Sequence, residues 1–159
     1  MKNPLVTIGI PTYNRANSNL LAVINAALNQ TYENIQVLVG DNASSDHTSE
    51  LVASITDPRL AYVRHSENIG ANANFNYLLD HAEGEWFQLF HDDDLIDSDF
   101  VECCIAALGN AQDVGFIRTG VRAIDAEGNV LKESKNIIEG TEREDFYLSW
   151  FNEKTAFFL

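Results

Sequence analysis

Short, continuous apolar runs alternate with stretches that are apolar on one side only, and this alternation persists through most of the chain. Residues 5–10 form a β-rich run closed by Pro11, which predicts a first strand ending in a turn. From Asn17 or Ser18 to Asn29, the apolar positions Leu20, Leu21, Ile24, Ala27 and Leu28 recur at helical spacing. Residues 35–39 predict a second, buried strand, followed by the polar loop 40–46 and a helix over 48–55. Asp57-Pro58 breaks the chain, and residues 60–63 make a short third strand. After the turn Asn68-Ile69-Gly70, a helix is predicted over 71–82 with Phe75, Leu78, Leu79 and Ala82 on one face. Gly84 ends it, Trp86 to Phe90 reads as a fourth buried strand, and 99–108 as another helix. Residues 114–124 look extended, 125–129 make a hairpin turn, and 130–132 return from it. The last periodic stretch, 142–151, is helical by spacing, with Phe146, Trp150 and Phe151 as its apolar stripe.

Strands that alternate with helices of this length imply an α/β fold: a mostly parallel sheet with helices on both faces. Such sheets bind ligands beyond the carboxyl ends of their strands. The loops there are 11–15, 41–46, 65–70 and 91–94; all are polar and follow apolar strands, so they predict one shared site. The sharpest of them carries Asp92, Asp93 and Asp94 in a row. Carboxylates this close repel one another unless a cation neutralises them. Hard oxygen ligands suit Mg²⁺, Mn²⁺ or Ca²⁺, and Mg²⁺ is commonly held by one or two carboxylates together with substrate phosphates. The same run also reads as a solvated acidic turn before the next helix, with Asp97 or Ser98 as its N-cap.

The chain has 159 residues, room for one domain with a real core. Ten Lys and Arg stand against 24 Asp and Glu, a formal charge of −14. That surface repels nucleic-acid phosphates and anionic lipid, so an anionic ligand needs a local cation. No targeting signal or stretch of about 20 apolar residues is present, so the chain carries no transmembrane segment. Cys103 and Cys104 are adjacent in a helical pattern and point different ways, which argues against a disulfide between them and for small near-core thiols of a reduced, cytosolic protein.

A dinucleotide-binding G-x-G-x-x-G, a phosphate-binding G-x-x-x-x-G-K-[ST] and a G-x-S-x-G elbow are all missing from the sequence. What is present, in order, is Pro11-Thr12-Tyr13-Asn14-Arg15, Gln30-Thr31-Tyr32, Asp41-Asn42-Ala43-Ser44-Ser45-Asp46-His47-Thr48, Asn68-Ile69-Gly70, Asn76, Ala82-Glu83-Gly84-Glu85 and Asp92-Asp93-Asp94. Over roughly residues 4 to 125 this series resembles the opening of family-2 glycosyltransferases. The resemblance implies a GT-A fold and metal-assisted transfer of a sugar, with inversion, from a nucleotide-sugar donor such as a UDP-sugar to a carbohydrate or glycolipid acceptor. By position, Pro11, Thr12 and Tyr13 line the nucleoside pocket, Arg15 approaches the phosphates, and Asp41 accepts a hydrogen bond from the base. Asn68, Gly70 and Asn76 belong to the donor site, and Asp92, Asp93 and Asp94 correspond to the D-x-D that holds Mn²⁺ or Mg²⁺ and the ribose.

Several alternatives stand beside these roles. Asp41 also suits an Asx-turn with Ser44 and Ser45, Asn68 a structural turn, and Asn76 a buried hydrogen-bonding position inside a helix. Phe75 and Leu78 stand where many members carry Arg and Gly, so packing is their reading here. The resemblance places the general base and the acceptor-binding half beyond Leu159, with residues 1–159 as one donor-binding domain. No catalytic base is assigned, and apolar surface left by such a truncation predicts self-association. The rival functions are a non-catalytic nucleotide-sugar-binding domain and a sugar nucleotidyltransferase; the latter predicts a Gly- and Arg-rich first loop, which Pro11–Arg15 is not. A cytoplasmic location, at most peripheral to the membrane and serving cell-envelope polysaccharide synthesis, completes the expectation.

Overall fold

In a computed structural model, which describes residues 3–109, 114–125 and 127–134, the first apolar run becomes the middle of a parallel sheet. Strand β1 (Val6–Thr12) is buried at every position. It pairs with β2 (Ile35–Asp41) on one side and with β4 (Trp86–Leu89) on the other, while β3 (Leu60–Arg64) lies outside β2. The order is β3-β2-β1-β4, all parallel. The chain therefore steps outward from β1 to β2 and β3, then crosses back to β4. The reversal falls between β1 and β4, which is where a sheet of this kind opens a crevice at its carboxyl end.

Helix α1 (Leu20–Leu28) buries Leu20, Val23, Ile24, Ala27 and Leu28 in a cluster with Val6, Ile8 and Ile10 of β1 and Ile35, Val37 and Val39 of β2. Leu21, expected in that stripe, is 44% exposed and Val23 takes its place. At about 100° per residue Val23 falls between Leu20, Ile24 and Ala27, whereas Leu21 turns away. Val52 of α2 (Thr48–Ala53) and Val101 of α4 (Phe100–Leu108) join the same cluster.

Helix α3 (Ala71–Asp80) covers the opposite face and comes close because β1 and β2 have no side chains at two facing positions. A Cβ at Gly40 would lie 2.6 Å from Asn74 Oδ1 and 3.1 Å from Leu78, and one at Gly9 would lie 2.7 Å from the Phe87 ring. Leu78 fills the space and is fully buried, a burial worth roughly 1.5–3 kcal/mol. Leu79, expected beside it, is exposed. Strand β4, expected to be buried, is half-buried throughout; no strand pairs with its outer edge among the described residues. Its successor Phe90 is buried, and the Phe90 N–H continues the ladder onto Gly9 O at 2.8 Å.

The chain divides into two compact units, Met1–Asn110 and Ala111–Leu159. In the second, β5 (Val121–Ile124) and β6 (Val130–Ser134) form an antiparallel hairpin. Its turn is closed by the Asp125 carboxylate, which accepts hydrogen bonds from the Asn129 and Glu127 amides, and by Gly128 at φ +85°. The extended reading of 114–124 narrows to 121–124, and the helix expected over 142–151 lies outside the described residues. Both cysteines are free thiols, with Cys103 exposed rather than near the core. Among the described residues no helix is long and apolar enough to cross a membrane.

Candidate functional site

The ends of the strands set the site's frame. Register places Thr12 of β1 beside Asp41 of β2, and Asp41 beside Arg64 of β3. The loops after β1 and β2 are then stitched into one surface. Asn14, held at φ 56°, donates its amide to Ser44 Oγ (2.8 Å) and accepts from the Ser45 amide at its Oδ1 (2.8 Å). Asn is one of the few non-glycine residues suited to such a backbone. Asp46 accepts from the Ala16 amide (3.0 Å), the Thr48 amide (3.1 Å) and the Thr48 hydroxyl (2.6 Å). Burial pushes its pKa up, but these bonds outweigh burial and hold it below the ordinary carboxylate value.

Across the crevice, the loop after β4 brings the acids to this surface. Asp92 is half-buried, and Arg15 faces it with Nε 3.5 Å from Oδ2; Arg15 Nη2 is 3.8 Å from Asp93 Oδ2. Burial raises the Asp92 pKa above its ordinary value, helped by the neighbouring Asp93 charge, against the opposing pull of Thr12 and Arg15. The Thr12 hydroxyl is buried beside Asp92 and favours its charged form. Asp94 is exposed, and its amide closes a turn onto His91 O at 3.3 Å.

The three consecutive acids therefore do not form a ready-made cage. Among the described residues no three His, Cys, Asp or Glu side chains are grouped so that one metal ion could touch them all. The reason is local: successive residues in a turn project in different directions. What the geometry does bring together is Asp92 and Asp93 around one cation, the Arg15 guanidinium. Two hard carboxylates side by side suit an ion that takes its other ligands from phosphate and water, as Mg²⁺ commonly does.

The remaining expected positions divide into several kinds. Pro11 is buried in the strand end and Tyr13 is 46% exposed at the rim. Asp41 is fully buried; its Oδ1 accepts from the Ser44 amide (2.8 Å), three residues on, and its Oδ2 from the Tyr62 hydroxyl (2.6 Å), so it does hold the turn to Ser44. Burial, then this bond to Asp41, raises the Tyr62 pKa. Asn68 Oδ1 accepts from Asn42 Nδ2 and from the Gly70 amide, both at 2.9 Å, and Asn42 Oδ1 accepts from the Ile69 amide. Gly70 follows at φ 85°, ψ 155°, a backbone that glycine alone adopts readily. Asn76, which the resemblance assigns to the donor site with a buried helical position as the alternative, is exposed; the buried residue is Asn74, one half-turn earlier and facing the sheet. Asn74 Nδ2 donates to Gly40 O at 2.7 Å, and its Oδ1 meets His65 Nε2 at 2.9 Å.

Sequence reasoning missed Asn42, Tyr62, Arg64 and Asn74. Arg64 donates to Ser44 O at 2.6 Å and stands 3.8 Å from Asp41 Oδ2. Their signal was position alone: Asn42 and Arg64 sit at or just beyond a strand's carboxyl end, Tyr62 is in the middle of β3, and Asn74 is one helical turn after Gly70.

The sequence profile of Glycosyl transferase family 2 matches residues 7–157. The chain belongs to that family. An uncharacterised glycosyltransferase of Rickettsia felis is 34% identical over 134 residues, 83% of this chain and 22% of that protein. One from Methanocaldococcus jannaschii is 28% identical over 138 residues, 85% of this chain and 48% of its own length. The chain thus spans from about a fifth to about half of these relatives. Among solved structures, a mannosyltransferase of Pyrobaculum calidifontis in complex with GDP-Man and Mn²⁺ superposes with a TM-score of 0.61 at 30% identity, over 68% of this chain and 33% of that one. S. aureus TarS, residues 1–349, in complex with UDP-GlcNAc, gives a TM-score of 0.62 at 24% identity over 66% and 31%. The shared fold is of the GT-A type.

Proposed function

We propose that this chain is the donor-binding part of an inverting, metal-assisted glycosyltransferase that moves a sugar from a nucleotide-sugar, with UDP-sugars the first choice, to an acceptor hydroxyl. The observation that carries the reading is the Asp92–Asp93 pair, gathered around Arg15 and beside the buried Thr12 hydroxyl, at the reversal point between β1 and β4. Family membership and the Mn²⁺- and GDP-Man-bound relative support the same reading.

The chain's own groups suggest how the donor is handled. Cleaving the sugar–phosphate bond leaves negative charge on a nucleoside diphosphate, and Arg15 is a cation at the crevice able to turn from the acids toward it. Thr12 Oγ1 offers one further donor at the same place. Asp92 and Asp93 would hold a Mn²⁺ or Mg²⁺ ion, which when bound supplies positive charge against the developing charge of the leaving diphosphate. Asp41 presents a carboxylate acceptor, so a base with an imide N–H suits it better than one with acceptors only. Because Asp41 is fully buried, a base reaches it only by displacing a group now packed on it, such as the Tyr62 hydroxyl or Arg64. Uracil offers its imide N3–H and guanine its lactam N1–H, and the 30%-identical relative holds GDP-Man, so both nucleotides belong in the test. The acceptor we infer is a carbohydrate or glycolipid of envelope polysaccharide assembly, met at the cytoplasmic face of the membrane.

The test is calorimetric titration of UDP and of GDP into the full chain, with Mn²⁺ and with chelator. One nucleotide should bind more tightly with Mn²⁺, and the Asp92→Asn/Asp93→Asn variant should lose that difference by tenfold or more. Equal binding with metal and chelator in the unmodified chain would refute the metal-assisted donor site.

A further inference from the structure

We propose that Gln30 is a positioning residue for the acid loop, acting as the fixed post to which the far end of that loop is tied. The inference rests on the donor-site reading above and extends it to a residue some distance along the chain, in the connection between α1 and β2.

The loop that carries Asp92 and Asp93 has two ends to secure. The near end is fixed by the sheet: Phe90 is buried and its amide donates to Gly9 O. The far end is fixed by Gln30, which is 5% exposed and uses its whole carboxamide. Its Nε2 donates to Asp97 O at 2.8 Å and to Ala26 O at 3.1 Å, and its Oε1 accepts from the Val101 amide at 2.9 Å. The next residue doubles the tie. The Thr31 amide donates to Ser98 O at 2.8 Å, and the Thr31 hydroxyl donates to Glu102 Oε2 at 2.6 Å. Residues 97–102 are thereby bound to the end of α1 across 67 to 71 positions of sequence. Between the two anchors lie residues 91–96.

Such a tie matters because neighbouring carboxylates repel and an exposed acidic turn spreads them apart. Holding both ends of a short loop keeps Asp92 and Asp93 facing one point before any ligand arrives, which is what a preorganised site requires. Only a carboxamide serves here, because the post must donate twice and accept once. A glutamate of the same shape cannot donate to Asp97 O or Ala26 O, and would set its charge against both carbonyls.

The experiment uses the full chain, with UDP or GDP, whichever the unmodified protein binds more tightly in Mn²⁺. The readout is the ratio of affinity with Mn²⁺ to affinity with chelator, measured well below the melting temperature. Gln30→Glu should lower that ratio about tenfold while leaving affinity in chelator within about twofold. Val23→Ala, a cavity in α1 away from the tie, reports what loss of stability alone does and should leave the ratio unchanged. If Gln30→Glu keeps the ratio, or Val23→Ala lowers it equally, the positioning role is overturned. Should Gln30→Glu fail to fold, Thr31→Val removes only the exposed bond to Glu102; a two- to threefold fall in the ratio supports the tie, and no change overturns it. A ratio of one in the unmodified chain overturns the donor-site reading itself, and is seen before any variant is made.

Discussion

Asp46 shows how much one carboxylate can do for the shape of this site. It joins the loop after β1 to the first turn of α2 through three accepted hydrogen bonds. Replacing it with Ala strands the Ala16 and Thr48 amides and should cost about 1–2 kcal/mol, read by urea denaturation. The pH dependence has a definite sign. Its folded-state pKa lies below the unfolded value, so its contribution is complete above about pH 3.9 and fades as the pH falls through the folded value. Asp57 behaves alike: its bonds to the Arg59 side chain and amide hold it low. Melting temperatures of Asp46→Asn and the unmodified chain should converge between about pH 4 and pH 2. A constant gap across that range would show that Asp46 does not titrate with folding.

For the elements, the close approach of α3 decides the outcome. Gly40→Ala drives a Cβ into the Asn74 amide and Leu78, and the helix must lift away. An overpacking cost of about 1–3 kcal/mol is expected, against less than about 0.5 kcal/mol for Gly115→Ala, where nothing lies within 4 Å. Equal denaturation midpoints for the two would refute the wedge. This scale also separates what the sequence made legible from what it did not. The four strands and four helices of the first unit were readable because their periodicities are strong and glycine and proline punctuate them. The polar loops pointed to one crevice because parallel sheets place such loops on one side. What escaped was facing and depth. An apolar run such as Trp86–Leu89 looks the same in the middle of a sheet as at its edge. Asn74 and Asn76 look alike too, although only one turns toward the β2 backbone. The Gln30 tie was invisible for another reason: its partners are backbone groups of a distant segment, and carbonyl oxygens have no letter in a sequence.

At the scale of the whole molecule, the proposed function asks a chain of net charge −14 to admit an anion. A nucleoside diphosphate approaches against a repulsive field that salt screens, with a Debye length of about 10 Å at 0.1 M. Stopped-flow association in Mn²⁺ should therefore quicken as NaCl rises from about 0.02 to 0.2 M. Slowing would mean that Arg15, Arg64 and the metal dominate the local field. The sheet order has a consequence for the birth of the protein as well. Strand β1 meets β2 across one helix, but it meets β4 only after three helices and two strands have been made. Contacts so distant along a chain form late, because the intervening loop must close first. A refolding chain should thus recover much of its helical circular dichroism before it can hold a nucleotide, since the crevice has only one wall until β4 docks. During synthesis the same delay leaves the open edge of β1 exposed until residue 89 has emerged, a window in which a chaperone has something to shield.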